Sequence, residues 1–391
     1  MKLTKLSFMV LSTLPLLITN PSQAKSLPMT ELVNIDAPQH MVEQKTIHFS
    51  QAIQANGKFL TAKQGYESSS DEYWFEVTGA QLNKGVNLDI SQAEALIRLS
   101  GKTSADNREF DNNTIDPSNI ELFKSNHKLT TPFQQTVSQQ QLATANIFPN
   151  SSAVKLDKAV GNGQFKLLVN EKLMPGQRFV INVKEKNSPH KLHLSTPSMN
   201  YLSGQQVDIK AEFKHNDAVL AFAKHQGFIK TPSGVKHPVK LITSPSGFRV
   251  EIPGDIANEK RGQLYELHVE SQAVDKALNI RRNGKIAFAV AKPTAAMEDN
   301  VAVESTGANI NLTVASEGRY EISGIVYGTN KQGRFVPFML SRSAYYLPAG
   351  EHQLPLVFDQ SIITSSGLTA PFNVKNLRLM DQSRMALLQQ M

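Results

Sequence analysis

The chain has 391 residues, with 41 Lys+Arg against 34 Asp+Glu for a formal net charge of +7, and no cysteine. The missing cysteines exclude disulfides, thiol nucleophiles, thiolate metal sites and a lipid anchor built on a Cys. Each folded unit must therefore be held by its own apolar core, and the length calls for more than one such unit.

In chain order, Lys2 and Lys5 precede an apolar run from Leu6 to Ile18. Pro21 follows, with Ser22 and Ala24 at the small-residue positions of a cleavage site. This is the pattern of a signal peptide cleaved after Ala24. The run is shorter than the about 20 residues needed to span a bilayer. The expectation is a secreted or periplasmic protein with no transmembrane segment after signal removal.

Alternating apolar and polar residues then recur in Trp74-Phe75-Glu76-Val77, Val86-Asn87-Leu88-Asp89-Ile90 and Arg178-Phe179-Val180-Ile181-Asn182-Val183. They return in Val207-Asp208-Ile209-Lys210-Ala211-Glu212-Phe213 and Arg319-Tyr320-Glu321-Ile322. A period of two puts one face of a strand on a core and the other in water. Turn chemistry separates the runs, as at Gly161-Asn162-Gly163, Pro232-Ser233-Gly234 and Pro348-Ala349-Gly350. Gln-rich Pro132 to Asn146 is the exception, and its pattern allows a short helix. Trp74, Phe213, Phe222, Phe228 and Phe248 read as core. The predicted class is all-β: three tandem immunoglobulin-like β-sandwich modules, with one short helix in the first.

Two polar, proline-containing runs mark boundaries, Lys184 to Pro189 and Lys292 to Asn300. They divide the chain into a signal segment 1–24, a first module 25–189, a basic second module 190–292 and a third module 293–391.

The first module carries Glu72-Tyr73-Trp74, Gly85-Val86 and Ala95-Leu96-Ile97-Arg98-Leu99-Ser100. The last carries Gly318-Arg319-Tyr320-Glu321-Ile322-Ser323-Gly324, Leu347-Pro348-Ala349-Gly350, Ser366-Gly367-Leu368-Thr369-Ala370-Pro371-Phe372 and Leu377-Arg378-Leu379-Met380-Asp381. In these residues the chain resembles a bacterial secreted family of unknown function built from three consecutive immunoglobulin-like regions. The resemblance implies the architecture and brings no catalytic residues or cofactor.

Chemistry-bearing motifs are sparse. Zinc hydrolysis needs ligands on one rigid face, as in H-E-x-x-H, and serine hydrolysis leaves G-x-S-x-G; neither occurs. The closest histidines, His190 and His193, read as linker residues. Asp106, Glu109, Asp111 and Asp116 cluster without a calcium-loop register. No catalytic residue, metal ligand or cofactor is assigned.

The charge excess is local, because residues 191–291 hold 14 Lys+Arg against 9 Asp+Glu. Lys236, Lys240, Arg249, Arg281 and Arg282 on one face would attract a polyanion. Stacking aromatics are not interleaved with them, which argues against nucleic acid. Adjacent Tyr345 and Tyr346 must point to opposite faces of a strand, so one is available to a sugar ring or protein partner. These seven are the candidate binding residues. The chain reads as a non-enzymatic binding protein for an anionic polysaccharide, an envelope or host-surface component, or a protein partner. An extracellular hydrolase with its site at a module junction is one alternative. A structural or accessory domain array is the other.

Overall fold

The computed structural model describes residues 31–36, 42–53, 65–102, 114–145, 148, 150–256 and 264–391. The signal segment and Asp106, Glu109 and Asp111 lie outside the described residues. Asp116 lies inside them and caps a short 3-10 turn at Pro117–Asn119.

The protein is nearly all β and has three separate apolar cores, each between two sheets. The described chain begins with β1 (Ile47–Ala52) and β2 (Tyr66–Ser70). Around the first core run β3 (Glu72–Thr78), β4 (Val86–Ile90), β5 (Leu96–Gly101), β6 (Ile120–Lys124) and β7 (His127–Lys128). They are followed by β8 (Phe133–Val137), β9 (Ser151–Leu156), β10 (Gly163–Val169) and β11 (Arg178–Lys184). The two sheets have the orders β4-β10-β6-β7 and β3-β11-β5-β9-β8, and they enclose Tyr73, Leu88, Ile97, Phe165 and Phe179.

The second core lies among β12 (His190–Thr196), β13 (Asn200–Leu202), β14 (Gln206–His215), β15 (Ala218–Leu220) and β16 (Phe222–Lys230). Its remaining strands are β17 (Lys236–Val239), β18 (Ile242–Ser244), β19 (Gly247–Glu251), β20 (Tyr265–Asp275) and β21 (Leu278–Ala291). The third uses β22 (Ala295–Val303), β23 (Gly307–Val314), β24 (Gly318–Thr329), β25 (Phe335–Leu347), β26 (Gly350–Val357), β27 (Thr369–Asp381) and β28 (Ala386–Gln390).

The alternation in sequence becomes alternation in burial. Along β12 and β23 every second residue is buried, as the pleat requires when one face meets a core. The helix allowed by the Gln-rich stretch is α2 (Gln139–Thr144); β8 takes up the residues before it. Ser138 and Gln141 close a capping box there, and Thr78 and Gln81 do the same for α1 (Gly79–Lys84). In α3 (Gln360–Ser366), Asp359 caps the start and Gly367 ends it at φ 65°.

The N-terminal segment corrects the expected first module. β1 is the edge strand of the third module's sheet β1-β25-β24-β27-β28, with Phe49 opposite Arg342. β2 is the edge strand of the second module's sheet β18-β19-β14-β12-β2, with Ser68 opposite Leu194. β1 and β2 thus complete the other two modules before the chain enters its own. Further back, Val33 N–H donates to Pro293 O at 2.9 Å, and Ile35 N–H donates to Ser316 Oγ at 3.0 Å. An edge strand is recruited by unpaired backbone groups, which any nearby chain segment can satisfy.

Candidate functional site

Three features meet on the second module. One is its junction with the first module. The run Lys184 to Pro189 is a turn that buries Glu185 and Ser188 and exposes Lys186 and Asn187, with Ser188 N–H bonded to Glu185 O and Asn187 at φ 63°. Glu185 and Arg282 are both fully buried and pair at 2.6 Å through Arg282 Nη2. The same nitrogen reaches Ser91 Oγ at 3.1 Å and Ser188 Oγ at 3.0 Å, while Nε donates to His190 O at 2.9 Å and Nη1 to Arg281 O at 2.7 Å. Glu185 also accepts from Ser91 N–H at 2.6 Å and from the Ser91 hydroxyl. Every charged atom has a partner, the condition under which a buried pair is tolerated.

β3 supplies the rest of this junction. Its odd positions Tyr73 and Val77 enter the first core, so Trp74 and Glu76 face the second module. Trp74 meets His268 edge-on, and its carbonyl accepts from Asn283 Nδ2 at 2.6 Å. Phe228 stacks on His268 at 4.6 Å with Lys236 over its ring. Trp74 and Phe228, expected in cores, are junction residues instead. Phe213 and Phe248 are core, with Phe222 packed against it.

Glu76 accepts from Lys236 at 2.8 Å and Lys102 at 2.9 Å. Burial would raise the Glu76 carboxyl, but the hydrogen bonds and charges of the two lysines outweigh it and hold the group at about 2 against an ordinary 4.5. A depressed folded-state value means the contribution is complete above about 4.5 and lost as pH falls toward about 2. The junction is expected to loosen across that window. Trp74 emission should follow the loss, and Glu76→Gln should remove that part of the acid dependence.

A second feature is a group of titratable side chains at the end of the module. His190 opens β12 and lies directly opposite His215, the last residue of β14. Asp275, at the end of β20, reaches both from the other sheet. Its Oδ2 accepts from His190 Nε2 at 2.8 Å and His215 Nδ1 at 2.7 Å. Burial, helped by the charges of His215 and Arg282, outweighs the raising effect of the bond to Asp275 and leaves the His190 imidazole below its ordinary range. His190 and His193 are strand residues rather than linker residues, and their spacing of three sends them to opposite faces of β12. Ser188 Oγ accepts from His190 backbone N–H and from Arg282, so it is no nucleophile poised on that imidazole.

The third feature is a groove on the outer face of β2, β12 and β14. A cleft of about 370 Å³ is lined by Gly65, Glu67, Ser195, Thr196, Pro197, Asp208, Lys210 and Ser246. A second of about 170 Å³ shares Glu67, Ser195 and Lys210 and adds Ser68, His193, Leu194, Glu212 and Lys214. Register explains the row, since Glu67 lies across from Ser195 and Ser195 from Lys210. A Cβ on Gly65 would lie 2.1 Å from Thr196 O, so glycine permits this approach of the segment to β12. Glu212 pairs with Lys214 at 2.9 Å and Lys210 at 3.5 Å, and Asp208 binds Arg249 through two bonds of 2.9 and 3.2 Å. Burial, then the charges of Lys214 and Lys191, lowers the His193 imidazole against the opposing charge of Glu212. The floor is polar, rich in donors and acceptors, and nearly balanced in charge.

The seven residues singled out in the sequence do not form one surface. Arg282 is fully buried, which corrects its reading as a surface cation. Arg281 lies 4.7 and 4.6 Å over the Tyr73 and Phe75 rings, and Lys236 binds Glu76; both serve the junction. Arg249 is exposed but paired with Asp208, and Lys240 is exposed. Tyr345 is buried with its hydroxyl on Pro355 O, and Tyr346 points outward to Glu317 Oε1 at 2.7 Å. Sequence reasoning missed the groove because its wall is built by a segment distant in the chain.

Residues 38–185 match the N-terminal domain of a family described as a domain of unknown function (DUF4785), and residues 294–391 match its C-terminal domain. A crystal structure of a DUF4785 family protein from Legionella pneumophila has the same fold, with a TM-score of 0.66 at 19% sequence identity. The alignment covers 93% of this chain and 97% of that one. No functionally curated protein matches the chain in sequence. No helix among the described residues is long and apolar enough to cross a membrane.

Proposed function

We propose from the groove that this chain, which belongs to the DUF4785 family of unknown function, is an exported, non-enzymatic binding protein for a polyhydroxylated surface polymer. The observation that carries this reading is the cross-strand row Glu67–Ser195–Lys210 with its neighbours His193 and Glu212. Carboxylate, hydroxyl, ammonium and imidazole groups in near charge balance suit a ligand that offers many hydroxyls and little net charge. A polyanion would want an excess of unpaired cations, and Asp208 and Glu212 offset those present.

Titration of the purified protein with neutral, zwitterionic and anionic bacterial polysaccharides tests it. Lys210→Ala and Glu67→Gln are each expected to weaken binding of a neutral or zwitterionic polymer about 10-fold or more, the worth of a charge-assisted hydrogen bond. Lys240→Ala should leave it unchanged, and moderate salt should matter little. Binding only to anionic polymers, lost in salt and on Lys240→Ala, would reinstate the polyanion reading; no binding at all would sink the groove.

The exchange of β1 and β2 into the other modules favours a second reading, a strut that spaces partners on an envelope. It predicts no ligand in the groove and retained function in groove variants.

A further inference from the structure

We infer that His190, His215 and Asp275 form a divalent transition-metal site at the end of the second module nearest the first. Among the described residues they are the one group of three His, Asp or Glu side chains whose ligand atoms all lie within 4.8 Å of one another. The site does not depend on the groove, which occupies the outer face of the sheet.

The geometry converges on a point. His190 and His215 are a direct cross-strand pair, with ring centroids 4.4 Å apart. Each aims one nitrogen at the same oxygen, Asp275 Oδ2, at 2.8 and 2.7 Å. Asp275 comes from the opposite sheet at the β20–β21 turn, where Lys276 takes φ 56°. Three strands of a packed sandwich therefore deliver three ligands, and none depends on a loop.

Metal–nitrogen and metal–oxygen bonds of about 2.0–2.2 Å place tetrahedral ligands somewhat more than 3 Å apart. The hydrogen-bonded atoms need to separate by only about half an ångström to admit an ion. His215 and Asp275 keep 32% and 17% side-chain exposure, so the outer side is open for water or a further ligand. Imidazole with one carboxylate suits zinc, cobalt or nickel better than calcium, which wants six to eight oxygens. The nearest buried cation, Arg282, is neutralised by Glu185 at 2.6 Å.

One feature limits the affinity. With a metal on Nε2, the His190 proton moves to Nδ1, which is buried and has no hydrogen-bond partner. Ligating histidines usually donate that proton to an acceptor, and losing such a partner weakens binding by roughly 10–100-fold. The site is thus one that exchanges its ion, unlike a structural zinc centre.

Calorimetric titration of the full protein with zinc, and absorption spectroscopy with cobalt, test the assignment. The expected result is one ion per chain and cobalt bands of low coordination number. Affinity should fall at least 10-fold in His215→Ala and in Asp275→Asn, and stay unchanged in His193→Ala. The partly exposed ligands are the ones varied, and circular dichroism of each variant confirms its fold. Absence of stoichiometric binding, or binding that survives both changes in folded protein, overturns the proposal.

Discussion

Arg282→Ala is expected to lower the stability of the first two modules by about 3–5 kcal/mol, because it strands a buried carboxylate. Glu185 would keep its bonds from Ser91 but lose the 2.6 Å contact to the guanidinium. The His190, Arg281 and Ser188 acceptors would lose their donor as well. Trp74 is the sole tryptophan and its carbonyl bonds Asn283, next to Arg282, so urea unfolding followed by its fluorescence reads this junction directly. The double change Glu185→Leu with Arg282→Met should recover most of the loss, since replacing both charges by apolar groups is often neutral. A single-variant loss under about 1 kcal/mol would show that the pair is not desolvated in solution.

Removal of residues 1–70 should have an effect as large, of a different kind. It strips the edge strands from β25 and β12 and leaves two rows of unpaired backbone groups. It also takes away the carbonyls of Glu43 and Lys45, which hold the Arg319 guanidinium at 2.6 and 2.8 Å, and that of Asp36, which binds Arg384 at 3.0 Å. The shortened protein is expected to self-associate, seen by sedimentation velocity, and to melt at lower temperature. A synthetic peptide of residues 42–53 should partly restore the third module by re-forming β1. A truncated chain that stays monomeric with an unchanged melting curve would refute this account of the segment.

Much of this protein is local in origin. The period-two patterns of β12, β14 and β23 determined which residues enter a core, because strand geometry permits only two faces. The same rule put Tyr345 and Tyr346 on opposite faces, and packing of the third core decided that Tyr345 is the buried one. Ser138 with Gln141 determined the start of α2, since a capping box lies within four residues.

What the tertiary structure decided is everything that depends on partners far apart in the chain. Backbone hydrogen bonds carry no side-chain signature, so nothing in Ile47–Ala52 or Tyr66–Ser70 names β25 or β12 as its mate. Arg281 and Arg282 read as surface charge because arginine is rarely buried unpaired, and their partners Tyr73 and Glu185 lie about 100 or more residues away. His190 sits beside His193 in sequence but beside His215 and Asp275 in space, because a strand turns neighbours three apart to opposite faces and pairing brings the other two together. The groove and the histidine–aspartate cluster follow from that pairing, which is settled only when the three cores are assembled.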